Sequence, residues 1–112
     1  MLQAHWKPVI WHPSAKTEIR TFPEPIKKEM GDLLFDLQKG ELLTMPHSKP
    51  MPSVAPGVHE LRVKGADGAY RAFYYLKHQE GIIVFHCFKK KAQRAPLREI
   101  RKGIKNLKEL AL

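Results

Sequence analysis

What this sequence has little of narrows it first. A single cysteine, Cys87, leaves no partner for an intramolecular disulfide. No apolar run approaches the roughly 20 residues that span a bilayer. The opening MLQAHWKPVIWH has no basic start, no long apolar centre and no small-residue cleavage site, so it does not read as a signal peptide. HExxH and CxxC spacings are missing, so the 6 histidines suggest no metal site. GxSxG, P-loop and dinucleotide fingerprints are missing too, and no cofactor is expected. Acidic residues are scarce, 11 against 20 Lys and Arg, which gives a net charge of +9. A cytoplasmic protein without membrane contact is the expectation.

What is there is a basic C-terminal half. From Gly57 onward stand 13 of the 20 Lys and Arg and 5 of the 11 Asp and Glu, so this half carries +8 and the first half +1. Such asymmetry points to a surface that faces a polyanion, although lysines on a terminal helix also serve simply as a solvated face. The 112 residues suit a single domain, 1–112, with one core.

The expected architecture is α+β. Trp6 to Trp11 reads as a strand, with Pro8 marking an edge or a strand start. Ser14 caps a short helix through Arg20. Pro25 to Gly40 is the clearest helix, with Ile26, Met30, Leu33, Leu34 and Leu37 at helical spacing and Gly40 as its stop. Thr44 to Gly57 holds four prolines and reads as a loop with room for a short turn. Three strands follow as a meander: His59 to Lys64, Tyr70 to Lys77, and Ile82 to Phe88. The first turn is Gly65-Ala66-Asp67-Gly68. The third strand is apolar on both faces and so is expected at the centre of the sheet. Pro96 opens a closing helix with Leu97, Ile100, Ile104 and Leu107 or Leu110 as its apolar stripe.

Several side chains carry possible chemistry. Arg62 and Arg71 lie on strands that the Gly65–Gly68 hairpin pairs, and a strand-borne guanidinium grips phosphate oxygens through its fork of donors. The competing role for them is an ion pair with Glu60 or Asp67. Lys89, Lys90 and Lys91 continue the central strand and repel one another unless an anion or solvent compensates. His86, read by strict alternation, shares a face with Ile82, Val84 and Phe88. It serves either as a proton-handling group or as a hydrogen-bonded core histidine. Cys87 reads as a buried thiol. Tyr70, Phe73, Tyr74 and Tyr75 have base-stacking faces, but alternation sends half of them to the core.

Four segments in order carry a resemblance: V-H-E-L-R (58–62), D-G-A-Y-R-A-F-Y (67–74), I-I-V-F-H-C-F-K-K-K (82–91) and P-L-R-E-I (96–100). Together they resemble the RelE/ParE superfamily of bacterial toxins, nearest to the phage-related HigB group. The resemblance covers residues 57–112, and the N-terminal elements fit the family order. It implies a curved, mainly antiparallel sheet with helices on one side. It also implies a ribosome-dependent mRNA endonuclease that cuts in the A site without a metal, by attack of the 2′-hydroxyl on the neighbouring phosphate. The partners implied are the ribosome, mRNA and a helix-turn-helix antitoxin.

On that resemblance, Arg71 falls where the family holds the scissile phosphate, and Arg62 falls on the arginine of the preceding strand. Lys90 and His86 complete the catalytic set, His86 as a support or proton-handling group. Lys89, Lys91, Arg94 and Lys64 form the RNA- and ribosome-binding set. Two departures stand out. Val58 and Glu60 occupy positions where RelE carries lysines, and no tyrosine follows Tyr75, so the acid and base stay unassigned. A ParE-like gyrase inhibitor and a non-catalytic nucleic-acid-binding domain stay open as alternatives.

Overall fold

The computed structural model describes residues 6–91 and 96–110. Strand β1 (Val9–Trp11) leads into helices α1 (Pro13–Ile19) and α2 (Glu24–Gln38). Then come β2 (Ser48–Pro50), β3 (Val58–Gly65), β4 (Gly68–Tyr75), β5 (Ile82–Lys90) and helix α3 (Leu97–Glu109). The strands form one open sheet in the order β1-β5-β4-β3-β2. Only β1 and β5 run parallel in it; the other pairs are antiparallel. The α+β class, the meander and the closing helix are as the sequence indicates.

The helices follow from their sequences. In α2 the residues Ile26, Met30, Leu33, Leu34 and Leu37 are buried, as their spacing demands. Lys39 caps the helix and Gly40 follows at φ 93°, the left-handed position where a glycine costs least. For α1 the cap is His12 rather than Ser14: its Nδ1 accepts the backbone N–H of Ser14 at 3.0 Å. That bond leaves Nε2 as the protonated nitrogen, and Nε2 donates to Glu109 Oε1 of α3 at 2.8 Å.

Two hydrophobic layers flank the sheet. One joins α1 and α2 to Leu61, Val63, Tyr70, Ala72, Tyr74, Ile82, Val84 and Cys87. The other joins α3 to Val58, Phe73, Ile83, Phe85 and Phe88. Helices therefore cover both faces, not the single side that the resemblance implied. In α3 the buried positions are Glu99, Gly103 and Asn106, flanked by half-buried Ile100, Ile104 and Leu107. Leu97, expected in the stripe, is 58% exposed. A Cβ on Gly103 would come within 2.7 Å of Phe73, so the glycine is what lets α3 lie on the ring.

The segment expected as a proline loop contributes an edge strand. β2 pairs Ser48, Lys49 and Pro50 with Leu61, Glu60 and His59. Three residues with a proline give no strand pattern, yet an edge tolerates the missing donor. Ser48 is buried and its hydroxyl meets Tyr74 Oη at 2.5 Å, which fixes the strand through a polar contact.

The central strand departs from strict alternation. Phe73 opposes His86 and Tyr74 opposes Val84, so Phe85 has no opposite number on β4. This bulge reverses the facing of everything after it. Ile82 and Val84 face α1 and α2, whereas Phe88 faces α3. His86 goes with Phe88, stacking on it at 5.5 Å, and not with Ile82 and Val84 as alternation predicts.

Candidate functional site: a cationic sheet face

Beyond the end of α3's apolar contact, the same sheet face carries charge. The registers put Lys49 opposite Glu60, Glu60 opposite Phe73, Arg62 opposite Arg71, and Arg71 opposite Phe88. Lys90 stands opposite Ala69, which itself opposes Lys64. Lys49, Arg62, Arg71, Lys90 and Lys64 therefore share one face with Glu60. Two arginines directly opposed across a strand pair repel each other. The acid beside them is Glu60, whose Oε1 lies 3.3 Å from Arg71 Nε and 3.7 Å from Arg62 Nε. The ion-pair role weighed for these arginines is thus realised with Glu60.

Burial sharpens the electrostatics. Glu60 is 3% exposed and Arg71 6%. Desolvation raises the Glu60 pKa, against the pull of Arg71, Arg62, Lys90 and Lys49. Burial lowers the Arg71 pKa, and burial together with Arg71 lowers that of Lys90. Glu60 Oε2 and Arg71 Nε have no hydrogen-bond partner among the described residues. Arg71 Nη1 donates to the carbonyl of Tyr70 at 3.2 Å. One carboxylate set among Lys49, Arg62, Arg71 and Lys90 leaves an excess of three positive charges, which is an anion-attracting face.

Alternation divides the lysine run. Lys90 belongs to this face, but Lys89 points to the other, where its Nζ donates to Asp67 Oδ2 at 2.9 Å and lies over the Tyr70 ring. The same bond holds the Asp67 carboxyl below its ordinary value. Lys91 is exposed past the strand end. Arg94 lies outside the described residues. Lys64 is exposed and lines a cleft with Arg62 and Arg71.

His86 is not brought into the cluster. Its Nε2 donates to the buried Glu99 Oε1 of α3 at 2.8 Å, and its ring packs against Phe73 and Phe88. Burial lowers its pKa more than Glu99 raises it, so the ring is neutral near pH 7. The contacts match the hydrogen-bonded core histidine. Cys87 is buried and its thiol is pushed up to about 12. Tyr70, Phe73 and Tyr74 are buried and offer no face for stacking a base. Among the described residues no three His, Cys, Asp or Glu gather as a metal site, and no helix is long and apolar enough to cross a membrane.

Sequence reasoning does not place Glu60 in the site: it reads the residue only as an ion-pair partner and as a departure from the RelE pattern. The signal was present: an acid two residues from Arg62, at an inward position of a strand in the basic half.

Fold and site together define a small α+β protein with a cationic cluster built around a buried carboxylate on one sheet face. The chain belongs to the phage-derived Gp49-like family: residues 17–108 match the family described as Phage derived protein Gp49-like (DUF891). That membership agrees with a toxin-like relation and carries nothing specific to the HigB group. A comparison with curated proteins finds no match.

Proposed function

We propose that this protein is the toxin of a type II toxin–antitoxin pair, of the HigB-like kind, that cleaves mRNA in the ribosomal A site without a metal. The observation that carries the reading is the excess of cations around buried Glu60 on the Arg62–Arg71 face. Family membership and the sequence resemblance support it. The site of action is the cytoplasm, and a helix-turn-helix antitoxin, more acidic than the toxin, neutralises it.

In this reading the scissile phosphate sits on Arg62 and Arg71, whose guanidiniums carry the charge that builds on the phosphorane. Glu60 takes the proton from the 2′-hydroxyl as its oxygen bonds to phosphorus, and its raised pKa suits a base working nearer neutrality. The bond from phosphorus to the 5′-oxygen breaks, leaving a 2′,3′-cyclic phosphate. Lys90, whose pKa is lowered, returns a proton to the leaving 5′-oxygen. His86 supports the site by holding α3 on the sheet through Glu99.

Primer extension on a defined mRNA in a purified translation system tests this. Cuts at A-site codons that need ribosomes and vanish with Arg71→Ala are the expected result. Intact mRNA in the presence of folded protein overturns it and redirects attention to gyrase.

A further inference from the structure

The sheet edge beside the cationic face contains a notch. β2 stops at Ser48, with the His47 carbonyl still accepting the Arg62 N–H at 2.9 Å, whereas β3 continues to Gly65, so β3 past Arg62 has no strand beside it on this edge. Residues 44–47 and α2 enclose this stretch as a cleft of about 500 Å³, within the roughly 300–1,000 Å³ of small-molecule sites. Arg62 and Arg71 reach it from the cationic face, Met45, Pro46 and Val63 give apolar wall, and Glu29 of α2 supplies a carboxylate. Met45 is 59% exposed, yet its Sδ accepts from Arg62 Nη1 at 3.0 Å. A thioether is a weak acceptor. A phosphate oxygen arriving at Arg62 would displace it, which frees the methionine to pack on whatever is attached to that phosphate.

We infer that this notch is a nucleobase subsite, in which Met45 and Pro46 cover the base next to the phosphate held by Arg62 and Arg71, and Glu29 selects bases that present an exocyclic amino group. The inference rests on the reading of the Arg62–Arg71 face as a phosphate site. A carboxylate accepts from the amino groups of cytosine, adenine or guanine and is repelled by a base carbonyl. Uracil, whose edge has carbonyls on both sides of its one N–H, is the base the notch rejects.

The test is amide-resolved NMR titration of the protein with CMP, AMP, UMP and inorganic phosphate. CMP and AMP are expected to move the amides of Met45, His47 and Val63. They should bind at least about fivefold tighter than UMP or phosphate, the low end of what a paired carboxylate–amine contact discriminates. Glu29→Gln should level CMP with UMP, and Met45→Ala should remove the gain of CMP and AMP over phosphate while phosphate, with no thioether to displace from Arg62, binds at least as tightly as to wild type. Equal binding of all four, shifts that miss the notch, or no binding overturns the subsite. The two readings fail separately. Selective nucleotide binding without mRNA cleavage sinks the nuclease and leaves the subsite. Cleavage with a base preference that Glu29→Gln and Met45→Ala leave unchanged sinks the subsite alone.

Discussion

Arg71 Nε and Glu60 Oε1 stand 3.3 Å apart, both side chains nearly buried, in a contact that is an ion pair without being a hydrogen bond. A pair held this way is electrostatically strong and geometrically incomplete. The second Glu60 oxygen and the Arg71 Nε–H are buried and make no hydrogen bond among the described residues.

Glu60→Gln removes the charge and keeps the shape. Arg62 and Arg71 then oppose each other with no carboxylate between them. Breaking a buried pair costs about 3 kcal/mol. Urea unfolding should show that loss. Added phosphate should raise the melting temperature of Glu60→Gln more than that of wild type, because an anion can replace the missing charge.

The divided lysine run gives a contrast. Arg71→Ala should lower mRNA cleavage by about 10²-fold or more, as removal of a transition-state charge partner does. Lys89→Ala should leave the rate within about twofold, since that ammonium is spent on Asp67 on the opposite face. Single-turnover cleavage of both variants measures this. Equal losses would contradict the assignment of faces.

Gly103→Ala should loosen α3. The added methyl meets Phe73 at 2.7 Å, and overpacking of this kind costs about 1–3 kcal/mol. Thermal denaturation should report the loss, with faster amide exchange confined to α3 and the facing half of β5.

Stability should fall on mild acidification because of His86. Its folded pKa is below the ordinary 6.5, chiefly through burial. Between the two values the unfolded chain binds the extra proton. The contribution is therefore complete above pH 6.5 and is lost as pH falls through the folded value. Chemical denaturation across pH 4.5–7.5 should show this slope in wild type, and His86→Gln should flatten it.

The helices and the meander were legible because each rests on a local period. Ile26 to Leu37 repeats every three or four residues, and the glycines at 65 and 68 bracket a two-residue turn. β2 was not legible, because a three-residue edge strand is held by its partner and by the Ser48–Tyr74 contact rather than by its own pattern. The inward Glu99 and Asn106 of α3 were hidden for a similar reason. They are polar positions bonded across the fold to His86 and to the Phe85 carbonyl, partners that are in place only once the sheet forms. Of the site, the cations were readable as types and the Arg62–Arg71 opposition as a consequence of the hairpin. The place of His86 was not: the unpaired Phe85 sets it on the same sheet face as Arg71, where its bond to Glu99 of α3 engages it.

The unpaired Phe85 makes β5 two half-strands written in opposite phase. A chimera that grafts the segment from Val84 to Lys90 onto a relative's regular strand, with Phe85 paired in ordinary alternation, would deliver every side chain after Phe85 to the wrong surface. Cys87 and Lys89 would turn toward α3, while Lys90 would turn toward the two N-terminal helices. The smallest portable unit of this cationic face is therefore the whole strand with its irregularity and the Asn106 amide that binds the Phe85 carbonyl.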